Sequence, residues 1–276
     1  MSSKQTGRKN MRRIETTFDK LKAQKKKALI PYIMAGDPDL ETTKLLILEI
    51  ERSGADILEL GVPFSDPIAD GPTIQMASER AIKSGTNLKK VMALVKNLRK
   101  DGLSIPIIIM TYYNIIFQYG IDKFPANAVS SGIDGVIIPD LPPEEASEFL
   151  KHSKKPGLDT IFLLAPTSTE DRIKKVVSSA KGFIYYVSMT GITGAKLSNL
   201  STVKSRISEI RQHTGLPVAV GFGISKEEEA KKISGWADGV IVGSALVKII
   251  NENSGKRVLF SKVGKFIKSL KGAIAG

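Results

Sequence analysis

Eight short apolar runs rich in β-branched residues recur along the whole chain: 28-ALIPYIM, 56-DILEL, 106-PIIIM, 134-DGVIIP, 158-LDTIFLL, 182-GFIYYV, 217-PVAV and 238-DGVIVG. Between them lie stretches with helical periodicity, namely 41-ETTKLLILEIERSG, 87-NLKKVMALVKNLRK, 143-PEEASEFLKHS, 169-TEDRIKKVVSSA and 202-TVKSRISEIRQ. Helix starts are signalled by Ser168-Thr169 ahead of Glu170 and by Ser225 three residues before Glu228. Runs that are apolar on both faces suit buried parallel strands, each covered by a right-handed helical crossover. Eight such units in about 250 residues predict an α/β protein, a (β/α)8 TIM barrel with an extra N-terminal helix. An open doubly wound sheet has the same local pattern. No GxGxxG follows the first run, however, and no low-complexity linker divides the chain. The organisation expected is a basic segment over 1–27, with an amphipathic helix, and one barrel over 28–276.

The net charge of +13 invites a nucleic-acid partner, so its distribution matters. Residues 1–27 hold ten Lys/Arg against two acids, and residues 256–276 hold six against none. The remaining body has 25 basic and 26 acidic residues and offers no basic groove. Ile14, Phe18 and Leu21, and later Leu259, Val263, Phe266 and Leu270, recur at helical spacing. The two ends therefore read as solvated faces of terminal helices, and neither a nucleic acid nor a membrane is an expected partner. No apolar run is long enough to span a bilayer and no signal peptide opens the chain, so a soluble, cytoplasmic protein is expected. There are no cysteines, which excludes disulfides and thiolate chemistry.

In either fold class, ligands bind at the carboxyl ends of the strands. The most informative unit is 56-DILELGVPFSDPIADGPTIQMASERA. Alternation places Ile57 and Glu59 on one strand face and Leu58 and Leu60 on the other. Glu59 is then directed into the barrel mouth, where desolvation raises a carboxylate's pKa and suits it to proton transfer. The structural alternative is an ion pair with a loop cation, since none of the eight runs contains Lys or Arg. Three prolines between Val62 and Pro72 shape the following loop, which carries Asp66 and Asp70. Either acid could be a turn residue or a functional one.

Glycine clusters follow the last three runs: Thr190-Gly191-Ile192-Thr193-Gly194, Gly221-Phe222-Gly223-Ile224-Ser225 and Gly243-Ser244-Ala245. Backbone amides there, with a helix N-terminus at Ser244, predict a phosphate cradle. The strand runs contain no lysine for a Schiff base, and His152 and His213 fall at the outer ends of helices. Carboxylates are left as the acid and base. Tyr32, Tyr112, Tyr185 and Phe222 lie at or near strand ends and could line an aromatic-sized pocket, although core packing would account for each alone.

At LELGVPFSDPIADGPTIQ the sequence resembles the tryptophan synthase alpha subunit family, and the similarity runs from about Ala28 to Ile250 through 35-AGDP, Asn114, 135-GVIIPDLP, 190-TGITG, 221-GFGIS and 243-GSALVKII. The resemblance implies retro-aldol cleavage of indole-3-glycerol phosphate to indole and D-glyceraldehyde 3-phosphate, a lyase step of tryptophan biosynthesis. Matched motif to motif, the family's catalytic glutamate falls on Glu59, its catalytic aspartate on Asp70 and its active-site tyrosine on Tyr185. Its phosphate contacts fall on Gly194, Gly223, Gly243 and Ser244, with Thr193 on a mobile loop over the site. The resemblance further implies no metal and no organic cofactor in this chain. Pyridoxal phosphate is expected only in a partner beta subunit that receives indole in an α2β2 heterotetramer, with Pro63 to Pro67 and the third-unit loop as interface candidates. Met189, just before the mobile loop, has no interpretation. A different phosphate-binding barrel enzyme, or a polyanion binder acting through the basic ends, are the competing readings.

Overall fold

The computed structural model describes residues 12–188, 200–221 and 223–275. Its eight strands are β1 (Ala28–Met34), β2 (Leu58–Gly61), β3 (Ile107–Met110), β4 (Gly135–Ile137), β5 (Asp159–Leu164), β6 (Ile184–Val187), β7 (Val218–Gly221) and β8 (Gly239–Val242). They pair in parallel in chain order, and β8 returns to β1 with Ala28 opposite Gly239, closing the predicted barrel. The helices are α1 (Arg13–Ala23), α2 (Leu40–Arg52), α3 (Pro72–Lys83), α4 (Leu88–Lys100), α5 (Tyr113–Tyr119), α6 (Phe124–Ser130), α7 (Ser147–Lys154), α8 (Glu170–Ser179), α9 (Leu200–His213), α10 (Glu227–Ser234), α11 (Ser244–Asn253) and α12 (Leu259–Ala273).

Strand alternation separates two layers of core. Outward residues such as Leu29, Ile33, Leu58, Leu60, Ile107 and Val240 pack under the helices. Inward residues Ala28, Ile30, Ile57, Ile108, Ile137, Ile161, Phe183, Ala219 and Ile241 fill the barrel's lower interior. Ile14, Phe18 and Leu21 of α1 belong to this inner cluster, with the Phe18 and Phe183 rings 5.6 Å apart. The amphipathic helix of the basic segment therefore plugs the barrel floor. The boundary expected at 27/28 runs through one body of packed side chains, which burial of apolar surface holds together.

Acids at the starts of three strand runs stabilise the same floor. Asp56 accepts from the Leu29 N–H (2.7 Å) and pairs with Lys271. Asp134 accepts from the Ile107 N–H (2.8 Å) and binds both Arg13 and Arg99. Asp238 accepts from the Val218 N–H (3.0 Å) and pairs with Arg211. Each carboxylate satisfies an orphan amide of the neighbouring strand and is neutralised by a cation from a helix. Part of the positive charge of the two ends is used here, through Arg13 and Lys271.

Several local expectations are corrected. Helix α7 begins at Ser147 because the segment from residue 143 first makes turns, with the Glu145 and Ala146 amides donating to the Pro142 and Pro143 carbonyls. The start of α10 is stabilised by Glu229, not Glu228: its carboxylate accepts from the Ser225 and Lys226 amides at 2.8 and 3.0 Å. In α12 the fully buried stripe runs through Leu259, Val263, Ile267 and Leu270, leaving Phe266 partly buried. Asp37 of the AGDP motif forms a bidentate ion pair with Arg80 (2.7 and 2.8 Å), so it latches the loop after β1 to α3. No helix among the described residues is long and apolar enough to cross a membrane.

Candidate active site

One layer above the isoleucine-lined interior, the inward positions change character. Two residues on from Ile30, Ile57, Ile108, Ile137, Ile161, Phe183 and Ile241 come Tyr32, Glu59, Met110, Pro139, Leu163, Tyr185 and Gly243. The period of two carries each strand's inward face from the core into the mouth. All seven line a cavity of about 300 Å3, together with Asp70, Thr73, Gly223, Ser244, Lys248 and other residues. The walls are mostly apolar, as a pocket for an aromatic ligand requires. Met110, Leu163 and Ile241 were legible as inward-facing strand residues but not as walls of a site.

Glu59 is 2% exposed and has no ion-pair partner among the described residues. Burial, and secondly the Asp70 carboxylate, push its pKa up to about 8. Asp70 lies on the loop between β2 and α3. Burial raises its pKa to about 6, and a hydrogen bond donated by the Tyr112 hydroxyl to Oδ2 (3.1 Å) acts in the opposite direction. Both carboxyl pKa values are thus raised by burial, that of Glu59 further than that of Asp70.

Tyr112 is not part of the cavity wall. Its hydroxyl accepts from the Ala69 N–H (3.0 Å) while donating to Asp70, and its ring packs on Phe64 at 5.1 Å. The side chain expected to touch substrate thus also holds the Asp70 loop. Asp66 is exposed and accepts from the Ser65 hydroxyl (2.5 Å) outside the cavity. Of the two loop acids, Asp70 is the one that reaches the site.

Gly223, Gly243 and Ser244 also line the cavity, the last two at the start of α11. Helix N-terminal amides and their partial positive charge favour an anion there. Lys248, one turn along α11, lines the cavity too and was missed by sequence reading; its spacing of four from Ser244 was the available signal. A Cβ built on Gly243 would meet nothing closer than Tyr32 Cβ at 3.6 Å, so the protein's own packing does not require glycine there. Gly223 has φ +78°, which does. The expectations for Met189, Thr193, Gly194 and Phe222 lie outside the described residues. Among the described residues no cluster of His, Asp or Glu is arranged to hold a metal ion.

Fold and site together define a (β/α)8 barrel in which two carboxyl groups with raised pKa values and the N-terminus of α11 line one cavity. The chain belongs to the tryptophan synthase alpha chain family, whose model matches residues 18–275. It is 56% identical to the tryptophan synthase alpha chain of Geotalea uraniireducens over 264 residues, covering 96% of this chain and 98% of that one. The alpha chain of Geotalea daltonii is 54% identical, with 96% and 100% covered. The crystal structure of the alpha subunit from Legionella pneumophila superposes with a TM-score of 0.89 at 42% identity, covering 96% of this chain and 98% of that one.

Proposed function

We propose that this chain cleaves indole-3-glycerol phosphate to indole and glyceraldehyde 3-phosphate. The observation that carries the reading is the cavity itself: Glu59 and Asp70, whose pKa values burial raises to different extents, share it with Gly243 and Ser244 at the start of α11. Its distribution of groups matches a ligand with an aromatic ring at one end and a phosphate at the other.

The chemistry follows from that difference. Protonated Glu59 gives its proton to indole C3, and positive charge develops on the ring nitrogen. Ionised Asp70 accepts a hydrogen bond from the ring N–H and offsets that charge most strongly in the transition state. The Glu59 carboxylate then takes the proton from the glycerol hydroxyl on the carbon joined to C3. That oxygen becomes the aldehyde, the carbon–carbon bond breaks, and its electrons return to the ring and restore aromaticity. Glu59 ends the cycle protonated, and neither a metal nor an organic cofactor enters the proton or electron balance.

The protonation states set a pH dependence. Below about 6 Asp70 gains a proton and loses the charge it needs, and above about 8 Glu59 loses the proton it must donate. The expected kcat/KM profile is a bell with limbs near those two values, read from initial rates of indole release across pH 5 to 9.5. A profile without the alkaline limb would contradict the acid role of Glu59.

The phosphate end makes a separate prediction. Gly243→Ala fits the protein's own packing but places a methyl group where phosphate oxygens approach the amides. Affinity for a phosphorylated indole ligand is expected to fall by about ten-fold or more, with binding of free indole unchanged. Ser244→Ala removes one hydroxyl and keeps the amide, at a cost on the order of 1 to 2 kcal/mol. Calorimetric titration of both ligands reads both effects, and equal losses for indole and its phosphorylated analogue would place the cradle elsewhere.

The same reading includes a beta subunit as partner, in an α2β2 assembly that takes up the indole. Ile68 is 83% exposed and Phe117 is 63% exposed. They sit on the β2–α3 loop and α5, two segments tied together by the Ala69–Tyr112 hydrogen bond. A partner that covered Ile68 would act on the loop that carries Asp70. The deciding experiment is incubation of the purified chain with indole-3-glycerol phosphate, with and without a beta subunit. Free indole identifies the lyase, whereas an isomer or ring-modified product would identify another barrel enzyme.

A further inference from the structure

The near-neutral charge balance of the body conceals a basic groove. At the amino ends of β4 and β5, on the opposite face of the barrel from Glu59 and Asp70, lies a second cavity, of about 1030 Å3. The start of α1 brings Arg12 and Arg13 to its wall, and the end of α4 brings Lys96, Arg99 and Lys100. Lys154 and Lys155 join them from the end of α7. Asp134 and Asp159 are the acids among the lining residues, so seven cations face two carboxyl groups.

The inner part of this charge is spent within the protein. Asp134 binds Arg13 and Arg99 at 2.8 Å each, and the Arg99 guanidinium also donates to the Gly132, Leu103 and Ile105 carbonyls. These two arginines hold the floor together. The outer part is not spent. Arg12 has only Glu15 at 3.5 Å, with both side chains more than half exposed. Lys96, Lys100, Lys154 and Lys155 are exposed, and among the described residues none of them forms an ion pair. Cations at helix ends offset the macrodipole, which accounts for one basic residue in each last turn. It does not account for four lysines from two helix ends that share one concave surface with Arg12. Like charges lining a cleft repel one another and focus a positive potential into it.

We infer that this groove is a binding site for a chain of linked phosphates, a triphosphate group either inorganic or carried by a nucleoside. A single phosphate meets only a few of the outer cations and leaves the rest repelling one another. A linear triphosphate reaches lysines of both helix ends at once, each contact a charge-assisted hydrogen bond. The site is separate from the active-site cavity, with which it shares no lining residue.

Calorimetric titration of the full chain with inorganic triphosphate, adenosine triphosphate and orthophosphate tests this, with indole-3-propanol phosphate present in excess to occupy the active-site cavity. The decisive variant combines Lys96→Gln, Lys100→Gln, Lys154→Gln and Lys155→Gln. All four side chains are exposed, so the fold tolerates the change. A second variant removes the same charge elsewhere, through Lys231→Gln, Lys232→Gln, Lys262→Gln and Lys265→Gln on α10 and α12. Inorganic triphosphate is expected to bind at least about ten-fold more tightly than orthophosphate, and more weakly as salt is raised. The groove variant should weaken it by about ten-fold or more, and the second variant by less than about two-fold. Equal affinity for both triphosphates would identify the phosphate chain as the whole ligand, and tighter binding of adenosine triphosphate would identify a nucleotide; both support the inference. No binding of either triphosphate, equal affinity for orthophosphate, or equal losses in the two variants would overturn it. The substitutions leave the active-site cavity untouched, so this outcome is independent of what that cavity binds.

Discussion

Glu59→Gln is expected to lower kcat for indole release by about 10^2- to 10^4-fold, the range associated with losing a positioned general acid–base group. The fold should survive the change. With its pKa pushed up to about 8, Glu59 is carried at neutral pH as an uncharged acid, so the amide replaces one neutral group of the same shape with another. As pH rises through 8 the folded protein must ionise a buried Glu59 that the unfolded chain ionises near its ordinary value of 4.5. The folded state binds more protons than the unfolded one across that window, so this group lowers stability as pH rises, and Gln removes the penalty. Thermal unfolding at pH 7 and pH 9 alongside initial rates separates the two effects. Turnover within a few-fold of the unsubstituted chain would remove Glu59 from the reaction.

Asp70→Asn is the second large effect, with kcat expected to fall by about 10^2- to 10^3-fold, as for loss of one transition-state charge partner in a desolvated site. An amide oxygen still accepts from the Tyr112 hydroxyl, so the loop should keep its position. What disappears is the negative charge that the proposed reaction sets against the ring nitrogen. KM should change little, because that charge matters most when positive charge has developed on the ring. Asp66→Asn supplies the control. Asp66 is exposed and bound only within its own turn, and its substitution should leave kcat within about two-fold of the starting value, as surface changes generally do. A severe loss from Asp66→Asn with normal turnover from Asp70→Asn would reverse the assignment of the two acids.

Legibility in the sequence followed the range of the interactions. The eight strands could be read because burial on both faces leaves an unbroken apolar run, and each run lies within two or three residues of an observed strand. Glu59 could be read because a charged residue inside such a run needs a special reason to be there. The choice between Asp66 and Asp70 could not, since it depends on Tyr112, 42 residues beyond Asp70. The same distance concealed the hydrogen bonds by which Tyr112 holds the loop. The ion pair of Asp37 with Arg80, 43 residues away, was likewise out of reach of any local pattern. Helices α5 and α6, seven residues each, were too short to show a helical period. The floor-plugging role of α1 was equally hidden. Its amphipathic stripe is visible in the sequence, but the surface that it covers is assembled from strands spread from Ile30 to Ile241.

The central claim is that Glu59 and Asp70 act on the transition state and not on the binding of the resting substrate. It is tested most directly by setting kcat for indole-3-glycerol phosphate against Kd for the uncleavable indole-3-propanol phosphate in the unsubstituted chain, Glu59→Gln and Asp70→Asn. The expected result is a loss of kcat of about 10^2-fold or more in each variant, with Kd changed by less than about three-fold. Losses in Kd that match the losses in rate would contradict it, because the two carboxylates would then be holding the ligand and not moving its protons and charge.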